Sequence, residues 1–158
     1  VVQEISKEYS KIIINAITRT SDRDRKKPTK ERFNEIMSKS SSAISYKGLV
    51  PYDKSVDAIK KYYALLFPTY WFGEGFPGTI VDAFSSGVPV VATDWSAYSE
   101  IICNFYTGII YPNDSIKDLV SAIEWSINNN EKMVQMRENC IKEAENYQPD
   151  RYIKKIII

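Results

Sequence analysis

Short apolar runs alternate along this chain with stretches whose apolar positions recur every three or four residues. The runs "KIIINAIT" (11–18), "YALLFP" (63–68), "VPVVAT" (88–93) and "TGIIY" (107–111) are β-branched or continuously apolar. Runs of that kind predict strands, and the unbroken ones predict strands covered on both faces. A shorter strand, "AISYKG" (43–48), closes on Gly48.

The 3.6-residue periodicity between the strands predicts helices. Residues 1–10 read as a helix tail. Thr29 caps a helix to about Ser40 that carries Phe33, Ile36 and Met37 on one face. Further helices are expected from Asp53 through Lys61 and over 78–86, the second with Gly87 as its cap and with Pro77 in its first turn. Others are expected over 96–102, over 115–129 with Asp114 capping, and over 131–147. A last helix starts near Asp150, with Tyr152, Ile153, Ile156 and Ile157 as its apolar stripe. Strands alternating with helices mean βαβ units: an α/β fold, Rossmann-like, with a doubly wound parallel sheet flanked by helices.

Composition narrows the chemistry more than the fold. With 158 residues the chain is long enough for one domain, 1–158, with a real core. Lys and Arg number 21 against 20 Asp and Glu, which leaves no basic footprint for nucleic acid. There is no histidine, so His-based triads, His metal ligation and His acid–base catalysis are excluded within these residues. Cys103 and Cys140 stand far apart, without zinc or disulfide spacing, as in a reducing, cytoplasmic compartment. In a full-length protein, a peripheral place at the inner face of a membrane is also compatible. The chain starts at Val1 without Met and stops in an apolar rhythm at Ile156–Ile158, as cuts through a larger protein would.

Carboxylates, hydroxyls, basic side chains and backbone dipoles remain, and one stretch concentrates them. "FGEGFPGTIVDAF" (72–84) follows the strand "YALLFP", and ligands of open parallel sheets bind beyond the carboxyl ends of the strands. Gly73, Gly75 and Gly78 let backbone approach a ligand closely. The helix that starts there aims free N–H groups and its positive dipole end into the loop, an anion site. Glu74 adds acceptors for hydroxyls, and Asp82, one turn further in, can take hydrogen bonds from a ribose diol. A solvated loop Glu and an Asp placed by the helix dipole explain the same residues without function.

The stretch "EGFPGTIVDAFSSGVPVVATD" resembles the donor-site signature of the retaining glycosyltransferases of the group 1 family (family 4), which have the GT-B fold. "SYKGLVPYDKSVDAIKKYYALLFPTY" and "SEII…TGIIYPNDSIKDLVSAI" are similar to the flanking parts of that family's C-terminal domain. The resemblance implies a nucleotide-sugar-binding domain that serves metal-independent transfer of a hexose with retention of configuration, in glycan or surface polysaccharide biosynthesis. Glu74 would hold donor-sugar hydroxyls as the residue closest to catalysis. Gly75, Phe76, Pro77 and Gly78 would line sugar and diphosphate, with Thr79 at the helix start. Asp82 would hold the ribose, and the turn at Leu49 and Val50 would lie against the base. UDP-, GDP- and ADP-sugars are all compatible as substrate, and no cofactor or metal is implied. The family's diphosphate-binding Arg and Lys would precede Val1. The N-terminal domain would supply a glycan or lipid-linked acceptor site, so these residues alone would not turn over. Two departures stand out: the second acid is Asp instead of Glu, and Pro77 removes a backbone donor. A nucleotide-sugar epimerase of the same fold, or a non-catalytic binding module, would share the pocket.

Other motifs read more simply. Asp22-Arg23-Asp24 spells a metal-binding DxD, but Arg19, Arg25, Lys26 and Lys27 around it oppose a cation. That basic cluster fits a solvated loop better than a contact with anionic lipid or a phosphorylated acceptor. Tyr62 and Tyr63 suit core and edge packing, whereas Tyr70, Trp71 and Phe72 fit a sugar platform and packing equally. Asn113-Asp114-Ser115 is formally a glycosylation sequon.

Overall fold

The computed structural model describes residues 14–16, 34, 37–39, 44–68, 75–95, 97–112 and 115–156. The chain divides into two compact units, Val1–Tyr52 and Asp53–Ile158. In the first unit, β1 (Ile14–Ala16) and β2 (Ile44–Tyr46) pair in parallel, Ile14 opposite Ile44 and Ala16 opposite Tyr46. Helical backbone at residues 37–39 lies within the stretch expected to be a helix. Gly48 closes β2 with φ +78°, a conformation that only glycine adopts without cost. The expected Thr29 cap, the helix tail at 1–10 and Asp22-Arg23-Asp24 lie outside the described residues.

The second unit is built on a three-stranded parallel sheet, β3 (Leu65–Phe67), β4 (Val90–Thr93) and β5 (Gly108–Tyr111), with β4 in the middle. Leu65 pairs with Val90, and Val90 with Gly108. All four residues of β4 are buried, as its unbroken apolar run predicts. Side chains alternate across a strand, so consecutive residues serve different faces. Val90 and Ala92 join one core cluster with Ile80, Ala83, Phe84, Tyr98 and Cys140; Val91 joins another with Ile109, Tyr111 and Ala122. Helices therefore cover both faces of this sheet. α2 (Gly78–Ser85) and α5 (Asn130–Ala144) pack on one side, with the short α1 (Ser55–Ile59) and α3 (Tyr98–Ile101); α4 (Ile116–Asn128) packs on the other. A 3-10 turn (Glu145–Tyr147) extends α5, and α6 (Pro149–Ile156) follows. No helix of the described residues is long and apolar enough to cross a membrane.

Particular residues set the boundaries. Gly87, at φ +62°, ends α2: its N–H bonds the Phe84 carbonyl and the Val88 N–H bonds the Ala83 carbonyl, both at 2.8 Å. That is a Schellman motif, with glycine where the chain turns left-handed. At Gly108 an added Cβ would stand 2.2 Å from the Val90 carbonyl oxygen, so the β4–β5 approach requires glycine. Asp114 is not the cap of α4: Ser115 is, its hydroxyl accepting from the Asp118 N–H at 3.1 Å. Both residue types suit the role, and the position of the last extended residue decides between them. Tyr63, expected to pack, is 43% exposed and is tied down by its hydroxyl, which donates to the Ser126 carbonyl at 2.8 Å.

Burial pushes the Cys140 thiol from its ordinary 9.0 up to about 12. The S–H donates to the Thr107 carbonyl at 3.2 Å inside the core. A group whose pKa is raised on folding contributes stability that is complete below its unfolded pKa and is lost as pH rises toward the folded value. The stability advantage of wild type over Cys140→Ala should therefore narrow between pH 8 and pH 10.5 in paired urea titrations; a constant difference would contradict the assignment.

Candidate functional site

The site is built where β3 hands over to α2. Residues 69–74, including Glu74 and the aromatics Tyr70, Trp71 and Phe72, lie outside the described residues. From Gly75 onward the backbone approaches α2 along the carboxyl edge of the sheet. Added Cβ atoms at Gly75 and Gly78 would meet nothing within 4 Å, so the chain's own packing does not demand glycine there. Phe76 is 61% exposed, its ring 5.5 Å from that of Tyr147.

Pro77 is fully buried and occupies the N-cap of α2, one position before the expected first turn. Its ψ of 94° is extended, and its carbonyl accepts from the Ile80 N–H at 2.9 Å. A helix leaves its first N–H groups without intrahelical partners, and a Ser, Thr, Asp or Asn cap usually satisfies some of them. Proline has no side-chain acceptor, and no cap bond forms here. The Ile80 amide is taken, so the exposed Gly78 and Thr79 supply the N–H groups left without an acceptor among the described residues. No acidic residue sits in the first turn to offset the positive end of the helix.

Asp82 lies on the second turn, four residues after Gly78 and three after Thr79, and those spacings share a helix face. The core-facing stripe is Ile80, Ala83 and Phe84, all completely buried, while Asp82 is half-buried. Helical Cα–Cβ bonds tilt toward the N-terminus, so the carboxylate leans back to the end that carries the free amides. Among the described residues it has neither a hydrogen-bond nor an ion-pair partner. Dipole placement alone accounts poorly for it, because that effect fades beyond the first turn. The far end of α2 is fixed instead, by the buried Ser86 hydroxyl within 2.9 Å of the Val56 carbonyl and 2.7 Å of that of Asp82. Leu49 and Val50 belong to the first unit, Leu49 67% exposed and Val50 half-buried, and the site is built here from the second unit alone.

One part of this edge escaped the sequence reading. β4 also ends here, with a completely buried Thr93 and an exposed Asp94, whose N–H bonds the Tyr111 carbonyl at 2.7 Å. The rule that ligands sit past strand carboxyl ends applies to every strand, and "VPVVATD" already marked Asp94. A cavity of about 460 Å³ lined by Phe105, Tyr106, Trp125, Lys132 and Asn139 lies elsewhere, at the amino end of β5. Among the described residues no group of three or more Cys, Asp or Glu comes together as a metal site.

Residues 26–146 match the family described as glycosyl transferases group 1. The chain belongs to that family. This group 1 glycosyltransferase domain is 44% identical over 57 residues to the lipopolysaccharide core biosynthesis mannosyltransferase LpsB of Rhizobium meliloti (strain 1021). That stretch is 35% of the chain and 16% of LpsB. Among solved structures it is similar to TarM of S. aureus, with TM-score 0.77 and 18% identity over 98% of the chain and 30% of TarM. It is also similar to the C-terminal domain of a group 1 glycosyl transferase, LpcC, from Francisella tularensis: TM-score 0.74 and 18% identity, over 91% of the chain and 74% of that domain. These likenesses carry the GT-B type of fold, with its parallel sheet between helices. The chain spans less than a third of TarM, and the aligned stretch about a sixth of LpsB.

Because the Asp82 carboxylate has no hydrogen-bond or ion-pair partner among the described residues, Asp82→Ala should leave stability within about 0.5 kcal/mol of wild type. A loss of stability several times that amount in urea titration would show that the carboxylate holds the fold.

Proposed function

We propose that this domain is the nucleotide-sugar-binding half of a retaining glycosyltransferase, acting as the C-terminal domain of a longer protein. One observation carries the reading: the uncapped amides of Gly78 and Thr79 share a face and an edge with the Asp82 carboxylate, which has no partner among the described residues. A diphosphate is the anion for the first group and a ribose diol the hydrogen-bonding partner for the second. They are separated by about one helical pitch, ~5.4 Å, a spacing of the kind that links phosphate and ribose within one nucleotide.

In this reading Gly75 and Phe76 flank the sugar and diphosphate, and Pro77 fixes the start of the helix. Glu74, just before them in sequence, takes the sugar hydroxyls by the family resemblance. The amides at the start of α2 stabilise the leaving nucleoside diphosphate, whose charge grows as the glycosidic bond breaks. Preorganised donors of this kind act without reorganising during the reaction. A carboxylate that positions the donor complements them. The chemistry assigns no metal, and the positive charge developing on the sugar ring requires no acid from this domain. A TarM variant solved with UDP and alpha-GlcNAc-glycerol supports a nucleoside diphosphate on this fold, and the mannosyltransferase LpsB supports a hexose and an envelope glycan as product.

In the full-length protein, a hydrolysis screen of UDP-, GDP- and ADP-sugars should identify one donor. With it, Glu74→Gln should lower kcat about 100-fold, the scale of a mispositioned donor. Asp82→Ala should instead raise KM for the donor about 10-fold or more, the value of a lost charged hydrogen bond. Asp82→Glu, one methylene longer, should keep KM near wild type. Full activity in Glu74→Gln would overturn the role of that residue, and an unchanged KM in Asp82→Ala would overturn the ribose contact.

A further inference from the structure

An added Cβ at Gly75 or Gly78 would meet none of the described residues within 4 Å, so side-chain packing holds neither position. Glycine is also the residue with most backbone freedom to lose. A segment of this composition does not hold its amides in one geometry unless something else fixes it. Between the two glycines stand Phe76 and Pro77, and both are held. Pro77 is completely buried. Phe76 is exposed, and its ring contacts that of Tyr147 at 5.5 Å and an interplanar angle of 45°.

Tyr147 comes from the 3-10 turn after α5, distant in sequence from the loop. The same ring lies 6.4 Å from Phe84, which is completely buried on α2. One side chain thus touches the chain on both sides of Pro77: the exposed loop residue before it and the core-anchored helix residue after it. The Phe84 contact ties Tyr147 to the core, and the Phe76 contact carries that rigidity to the loop. Offset and tilted ring pairs at these separations are favourable beyond the area they bury.

We infer that Tyr147 is a positioning residue, an aromatic clamp that fixes the Gly75–Thr79 segment so that the Gly78 and Thr79 amides are preorganised for a nucleoside diphosphate. The inference rests on the donor-site reading for its ligand, and on ring geometry alone for the clamp. Preorganisation matters because every residue ordered on binding subtracts from affinity. Tyr147 touches no reacting group in this account and acts through Phe76 and the backbone. The aromatic ring carries the role, so Tyr147→Phe should preserve it.

The test has two readouts on the same chain. In the ligand-free protein, backbone 15N order parameters at Gly75, Phe76, Gly78 and Thr79 should fall in Tyr147→Ala from near the rigid value of about 0.85 toward the flexible range below about 0.6, while Val90–Thr93 stay rigid. Phe76→Ala leaves the Tyr147–Phe84 contact in place and should loosen the same amides. The second readout is affinity for UDP, GDP or ADP, whichever wild type binds. Tyr147→Ala should weaken it about 3- to 10-fold and Tyr147→Phe should match wild type. The double variant Phe76→Ala/Tyr147→Ala should be no weaker than the weaker single, because both changes remove one contact. Unchanged order parameters in Phe76→Ala, or affinity losses that simply add, would overturn the clamp. If wild type bound none of the three nucleotides while both single variants still loosened the loop, the clamp would stand and the donor reading would fall.

Discussion

Burial of β4 on both faces is the constraint on which the second unit rests. Val90 and Ala92 face one helix layer and Val91 the other, and none of the three is more than 1% exposed. Apolar area removed from water on this scale is worth roughly 1.5–3 kcal/mol for each large side chain. A strand that must be covered twice fixes where the helices lie. It therefore fixes the end of the sheet at which the β3–α2 connection emerges. Gly108 lets β5 come close enough to complete the arrangement, and Gly87 turns the chain from α2 back into β4.

The chemistry follows from that placement. α2 is held to the core by Ile80, Ala83 and Phe84, and at its far end by the Ser86 hydroxyl. Its near end is left without a side-chain cap, because Pro77 stands where a capping residue would be. A helix that begins with free amides, no first-turn acid and glycines on either side of an aromatic–proline pair has given up local stabilisation. Such an end is suited to receive an anion, and its rigidity must come from outside the loop. In the proposed account Tyr147 supplies it.

Much of this was legible in the residues. Unbroken apolar runs placed the strands, and Gly87 had to follow a helix because its position calls for a left-handed backbone. "EGFPGTIVDAF" pointed to the carboxyl edge of the sheet through the rule for parallel strands. Adjacent capping positions were harder to separate. Ser115 and Asp114 are chemically equivalent as caps, and Pro77 is compatible with both the N-cap and the first turn; backbone torsions choose between such neighbours. Asp94 was overlooked because it ends a strand without glycine or a charged partner beside it. Tyr147 carries no local signal at all: its role depends on Phe76 and Phe84, which only the tertiary fold brings to it.

The central claim is that the start of α2 receives the diphosphate of a nucleotide. Titration of the isolated chain with UDP, GDP and ADP at millimolar concentration, followed by amide chemical shifts, tests it most directly. The account predicts that one nucleotide produces saturable shifts largest at Gly78 and Thr79, with smaller ones at Gly75, Phe76 and Asp82. Saturable shifts confined to other parts of the chain, with Gly75–Thr79 unmoved, would contradict it.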